Sequence, residues 1–468
     1  MLVVALTLVT PVIALCLYFS KISRFNILLL SFFGLSCMGI ALVIVVSSSS
    51  HPLASLGVWF TFILAIQHGG GWILEQIFRD KFYTRYIYFT DYEYTIGKSV
   101  ALAGIGLLTF ACAYAFINAQ RRKNNLDTDC AAQIRNPVID IIPWSILLIW
   151  GAGFLIFENL GGMNLFSEKS TSIYLLRSLF GYLSEVVIIL ISVKLFASSI
   201  KIPIVYLILV VFWGGYVFLT GQRQFIVGIS LTTLVLAYKW RLTTVKARQF
   251  ALMGLFLLSV MVGMTYMRDI YGRNTFTEMT LPEQLTIMSE QQTVDQSNLN
   301  NSLEFDLGYR LNAGNILLGL MADLPEVDIL WTEPVSFSLT SLVPDIIWTN
   351  KAQVFQYDLP NLISIHYGFI RVNYIATFIT VFYAMGGLPM VILLAGIFGI
   401  MIAFLDIRLA NNTSILGFIL AIGLGWGLLA IDHSIDQLFL ALRDALLLYL
   451  LIRLSMLLMK VVTRKKLR

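Results

Sequence analysis

Apolar runs near 2–19, 26–47, 53–74, 98–118, 142–160, 174–197, 203–220, 224–240, 250–267, 387–405, 413–431 and 437–459 recur along the chain, divided by short polar breaks. A helix rises about 1.5 Å per residue, so every run except the short 224–240 can cross a hydrocarbon layer about 30 Å thick. The pattern predicts an all-α polytopic membrane protein of about 12 transmembrane helices. Residues 2–19 have neither a basic leader nor a small-residue cleavage site ahead of a soluble domain, and are expected to be a retained first helix.

One polar interruption breaks the rhythm, at about 268–365. It holds 13 Asp and Glu but only four basic residues, Arg268, Arg273, Arg310 and Lys351, while the rest of the chain holds 28 basic and 14 acidic residues. Basic loops favour the cytoplasmic face. That tendency places Arg121 to Lys123, Lys239 to Arg248, Arg408 and Arg464 to Arg468 inside, with both termini, and the acidic loop outside. Lys21 and Arg24, and Arg79, Lys81, Arg85 and Lys98, run against this orientation without outweighing it.

The apolar stretch 365–386 presents a choice. Counted as a span, it would send the basic C-terminal cluster to the outer face. A helix at about 370–385 that lies on, or re-enters, the outer surface is therefore expected. Its Tyr367, Tyr374, Phe378, Phe382 and Tyr383 are aromatics of the kind that settle at headgroup level. The expected organisation is a scaffold over 1–200 (helices 1–6), helices 7–9 over 201–267, the loop and surface helix over 268–386, and helices 10–12 over 387–468.

Composition narrows the function. With 58% hydrophobic and 13% charged residues the chain is not a soluble globular protein, and its net charge of +5 reflects loop asymmetry rather than a nucleic-acid surface. Cys16, Cys37 and Cys112 fall in apolar runs and Cys130 beside a basic loop, so neither a disulfide nor a metal site is expected. Walker, HExxH, GxSxG and Cys-x-x-Cys patterns are missing from the sequence, which leaves nucleotide-driven or metal-dependent chemistry unsupported. No cofactor is expected.

Several residues have the chemistry to act on an anionic substrate. Arg223 sits in the tight turn Thr220 to Gln224, where a guanidinium can fork onto phosphate oxygens; snorkelling to headgroups is the competing reading. Arg310 opens a predicted amphipathic helix that runs to Met321. Arg310 and Lys351 either bind an anion or pair with the loop's many carboxylates. His366, just before the predicted surface helix, has a near-neutral titration range suited to a general base, with His433 as its rival; interfacial hydrogen bonding is the plainer role. Glu185, Lys194, Arg443 and Asp444 are charges within spans. The last two are neighbours on a helix, directed about 100° apart, and are not expected to make an ideal pair.

Gly221-Gln222-Arg223, Tyr309-Arg310, Val343-Pro344 with Lys351, and Gly386-Gly387 at the start of the next span occur in an order that resembles the Wzy-type O-antigen and capsule oligosaccharide repeat-unit polymerases of bacterial inner membranes. The likeness covers about 200–405. Asp345 follows Pro344 where a basic residue would be sought, and Met385 precedes Gly386 in place of an aromatic.

The resemblance implies transfer of a growing glycan from undecaprenyl pyrophosphate onto another lipid-linked repeat unit at the periplasmic face, without nucleotide sugar or metal. The implied partners are the lipid-linked donor and acceptor, the bilayer and a chain-length regulator. Arg223 and Arg310, helped by Lys351 or Arg371, would stabilise the departing pyrophosphate. His366, or a carboxylate such as Asp345, would accept the proton of the acceptor hydroxyl. Trp331, Trp348 and Tyr357 would offer stacking faces to sugars. An O-antigen ligase or a lipid-linked oligosaccharide flippase are the alternatives.

Overall fold

The computed structural model describes residues 25–49, 52–70, 92–123, 329–340, 342–343, 348, 359–366, 377–411, 415–429 and 435–466, together with Ile73, Val186, Ile189, Thr232, Val235, Leu317, Leu320 and Met321. The described residues form helices and their connections. In chain order these are α1 (Phe25–Ser48), α2 (Leu56–Ala65, continued by the π-helical turn Ile66–Gly70), α3 (Tyr92–Lys123), α4 (Glu333–Thr340), α5 (Leu359–His366), α6 (Phe378–Asn411), α7 (Ile415–Leu429) and α8 (Ile435–Lys466).

Three stretches, Leu29–Ser48, Gly97–Gln120 and Phe378–Ile407, are long and apolar enough to cross a membrane, and Leu56–Gly70 is a shorter apolar helix. The expected spans 26–47, 53–74, 98–118, 387–405, 413–431 and 437–459 each meet a described helix. The remaining six lie outside the described residues apart from Val186, Ile189, Thr232 and Val235, which are helical where spans are expected. Large apolar side chains stay exposed in stripes of helical spacing, Leu393, Ile397, Ile400 and Phe404 on α6 and Leu446, Leu450, Leu454 and Leu457 on α8. Such stripes suit lipid, and with the apolar helices they mark a membrane protein.

Glycines set the packing, because lipid supplies no hydrophobic drive between helices and close backbone approach must do the work. A side chain at Gly34 of α1 would collide with the backbone of Val100 and Ala101 on α3, and one at Gly104 with Gly34. On the other side of α3, a side chain at Gly399 of α6 would strike the Phe110 carbonyl, and Gly106 faces Val391. Hence α3 is clasped between α1 and α6, and it is the most buried of the three candidate spans. The paired positions rise together in number, 106 with 391 and 110 with 399, so α3 and this part of α6 run parallel. α2 runs the other way: its Gly57 faces Tyr114 and its Phe60 packs on Phe110 of α3, one number rising as the other falls.

The long helix α6 is not straight. Its backbone breaks at Gly386 and Gly387, and Gly387, with φ 66° and ψ −154°, occupies a region closed to residues with a side chain. In one unbroken helix Phe378 and Phe398 would stand about 30 Å apart. Their rings instead lie 4.5 Å apart between centroids, and Phe60 of α2 packs on both at 5.3 and 5.5 Å. The arm 378–385 therefore doubles back along the start of the arm that follows it.

This arm corrects one expectation. Residues 377–385 are all buried, so Phe378, Phe382 and Tyr383 pack inside the bundle and are not aromatics laid on an outer surface. The interior aromatic cluster of Phe60, Phe110 and Phe398 offers them more contact than a headgroup layer would. The described part of 370–385 is a helical arm turned back against the helix that follows it and buried in protein.

Candidate functional site

The acidic stretch 268–365 is described at its second half. α4 packs against α5, α6 and α8, so this part of the loop folds onto the helix bundle. The Leu330 amide donates to the Ala384 carbonyl at 3.2 Å, tying the chain three residues before α4 to the end of the doubled-back arm, beside the glycine break. Leu317, Leu320 and Met321 are helical where the amphipathic helix from Arg310 is expected, and Leu317 and Leu320 are fully buried, as its apolar face requires.

Trp331 follows Leu330 with φ 43°, in the left-handed region that a bulky side chain adopts only at a cost, and its ring is 61% exposed. Thr332 and Glu333 beside it are exposed as well. An open indole face next to a hydroxyl and a carboxylate offers what a sugar ring can use: an apolar platform and hydrogen-bonding groups.

Among the residues expected to carry chemistry, His366 and Trp348 are described. His366 closes α5 and is exposed; Trp348 is half-buried in the stretch between α4 and α5. Arg223, Arg310, Asp345, Lys351 and Arg371 lie outside the described residues, as do Tyr357 and His433.

Three polar clusters were not anticipated as such. Asp406, 7% exposed, accepts from Ser55 Oγ at 3.1 Å, the Leu56 and Gly57 amides at 3.1 and 3.2 Å, and Tyr114 Oη at 2.8 Å. It thus satisfies two of the four amides that the start of α2 leaves without helical partners, while Ser55 caps Val58. Its negative charge also suits the positive end of that helix.

The second cluster is His68, 2% exposed, whose Nε2 lies 3.0 Å from Thr377 Oγ1; that oxygen is 3.0 Å from Thr380 Oγ1. A lone histidine ahead of Gly69-Gly70-Gly71, inside an apolar run, was the available signal.

The third corrects an expectation. Arg443 and Asp444 do pair, Arg443 Nε and Nη2 each reaching Asp444 Oδ1 at 2.8 Å. The arginine stem is long enough to bend around the helix. Adjacency still leaves its mark, because both nitrogens converge on a single oxygen instead of forking across two.

The fold and these clusters define a helical membrane protein with a polar loop packed onto one part of its bundle. Family models, curated proteins and solved structures contain no match to the chain.

Proposed function

We propose that this chain is a polymerase of undecaprenyl-pyrophosphate-linked oligosaccharide repeat units, of the O-antigen or capsule kind, working at the periplasmic face of a bacterial inner membrane. One observation carries the reading: a stretch with 13 acids and four cations, set in an apolar chain, has its described helix α4 packed on α6 and α8, with α5 against α4. A loop held there can bring its few cations and its aromatic faces to a lipid-linked substrate at the membrane surface. On this reading the arm 378–385 belongs to a re-entrant segment on the outer side, and its burial in protein is what lets non-spanning backbone exist at such depth.

The reaction is a glycosyl transfer. A hydroxyl of the acceptor repeat unit attacks the anomeric carbon of the donor, the bond from that carbon to the pyrophosphate oxygen breaks, and undecaprenyl pyrophosphate departs with the electron pair. Arg223 and Arg310, with Lys351 or Arg371, neutralise the departing charge. His366, exposed at the end of α5, or Asp345, takes the hydroxyl proton. Trp331 and Trp348 serve as sugar platforms.

The test is a ladder of surface glycan in a deletion strain, read beside an immunoblot of the protein. Arg223→Ala or Arg310→Ala should abolish long chains while single repeat units still reach the surface. Loss of one such contact costs about 3 to 4 kcal/mol, a hundredfold or more in rate. Lys should restore only part, since it keeps the charge without the fork. A flippase would lose even the single unit outside; a ligase would make chains that fail to reach lipid A. Full ladders from both Ala variants at normal abundance refute the proposal.

A further inference from the structure

The arm 378–385 is attached to the rest of α6 by Gly386 and Gly387, which permit the reversal but do not by themselves hold it. Near that end it is also tied by the Leu330 amide to the Ala384 carbonyl. Its other end needs a separate hold, and His68 supplies a polar one. Thr377 precedes the arm, its carbonyl accepting from the Val381 amide at 3.0 Å and its hydroxyl from the Thr380 amide at 3.4 Å. His68 reaches that same hydroxyl across the bundle from the π-helical turn of α2.

Two features set this bond apart from routine packing. The π-helical turn inserts an extra residue per turn, which re-aims side chains at some cost in helix geometry and is frequent at functional positions. A buried histidine among apolar helices is costly unless its ring nitrogens are satisfied, so the site retains an expensive group where an apolar one would pack. His68 is too deeply buried to touch a substrate at the surface. The arm it holds carries Ala384, whose carbonyl takes the Leu330 amide next to the exposed Trp331.

We propose that His68 is a positioning residue for the transfer reaction: its hydrogen bond to Thr377 anchors the far end of the doubled-back arm, whose near end holds Leu330 beside the exposed Trp331, and so sets the placement of that indole. The inference rests on the polymerase reading for its functional half, while the anchoring half can be measured without any glycan.

The experiment uses the full-length protein with Cys16, Cys37, Cys112 and Cys130 replaced by alanine and a reporter introduced as Val381→Cys, a fully buried position on the arm. N-ethylmaleimide labelling should be slow with His68 intact and roughly tenfold faster in His68→Ala or Thr377→Val, as expected when local opening becomes easier by about 1.4 kcal/mol. The double variant should be no faster than Thr377→Val, which removes the same bond together with the Thr380 contacts of that hydroxyl. His68→Gln and Thr377→Ser, which keep a hydrogen-bonding group, should restore slow labelling.

In parallel, without the reporter, His68→Ala should shorten the surface-glycan ladder at normal protein abundance, and His68→Gln should lengthen it again. Unchanged labelling, or additive effects in the double variant, overturns the anchor. Faster labelling with an unaltered ladder, in a strain where Arg310→Ala abolishes it, overturns the positioning role and leaves the polymerase reading intact. Ladders insensitive to Arg223 and Arg310 as well would instead remove that reading. Should His68→Ala fail to accumulate, Thr377→Val against Thr377→Ser makes the same comparison.

Discussion

Asp406 and Tyr114, 292 residues apart in sequence, are joined by a 2.8 Å hydrogen bond in the interior of the bundle. The same carboxylate holds the start of α2, so it knots three helices at one point. Asp406→Ala should leave two amides and two hydroxyls short of an acceptor and destabilise the protein by about 3 kcal/mol. Tyr114→Phe, which removes one hydroxyl with its contacts to Asp406, Ser55 and Ser49 but leaves the carboxylate in place, should cost about 1 to 2 kcal/mol. Asp406→Asn should fall between them, since the amide keeps an acceptor oxygen but turns a second donor toward the hydroxyls. Thermal unfolding in detergent, followed by loss of the monodisperse elution peak, ranks the three; equal stability of Asp406→Ala and the parent would refute this role.

Glycines provide a second, internally controlled comparison. A methyl at Gly34 meets the backbone of α3, which cannot yield as a side-chain tip can, whereas a methyl at Gly39 on the same helix meets nothing within 4 Å. Gly34→Ala should therefore lower stability by about 1 to 3 kcal/mol through overpacking. Gly39→Ala should be neutral or gain up to about 1 kcal/mol from better helix propensity. The same thermal assay decides, and a Gly34→Ala protein as stable as Gly39→Ala would mean that α1 and α3 are not in backbone contact.

Helix positions were legible because a run such as 26–47 carries its own periodicity and length. Pairings were not, since Gly34 and Gly39 look alike in sequence and only the facing backbone distinguishes them. The fold-back at Gly386-Gly387 had no sequence signal beyond the glycine pair, and headgroup-level aromatics were the wrong reading of Phe378 and Phe382, because aromatic residues suit an interior cluster as well as an interface. Asp406 passed unnoticed beside Arg408, where a carboxylate at a span end reads as a loop charge. His366 and Trp348 could be located, whereas Arg223, Arg310, Asp345, Lys351 and Arg371 fall outside the described residues.

Helix direction yields a prediction for topology. α1, α3 and the 388–411 arm of α6 run parallel, with Ser49, Tyr114 and Asp406 gathered at one end. Cysteines placed at Ser49, near Arg121 and near Arg408 should thus share one side of the membrane, the cytoplasmic one by charge. Ser297→Cys should react with an impermeant maleimide in intact spheroplasts, and a cysteine added after Arg464 should not. Labelling of the position near Arg121 from one side and of that near Arg408 from the other is incompatible with the parallel packing of α3 on α6.

Arg443 and Asp444 allow a local ion pair to be told from a working charge. Both are buried on α8, 9% and 6% exposed, and both guanidinium nitrogens close on one oxygen of the neighbouring residue. Arg443→Leu alone strands a carboxylate in the bundle and should cost about 3 to 5 kcal/mol, seen as a large loss of abundance. Adding Asp444→Leu removes the stranded charge, and replacing a whole buried pair with apolar residues is often neutral. The double variant should therefore regain most of its abundance. The two groups reach each other along one helix, so on the proposed polymerase reading the double variant should also regain a full surface-glycan ladder. Recovered abundance without recovered chains would place the pair in the reaction site, the default expectation for charges at membrane depth.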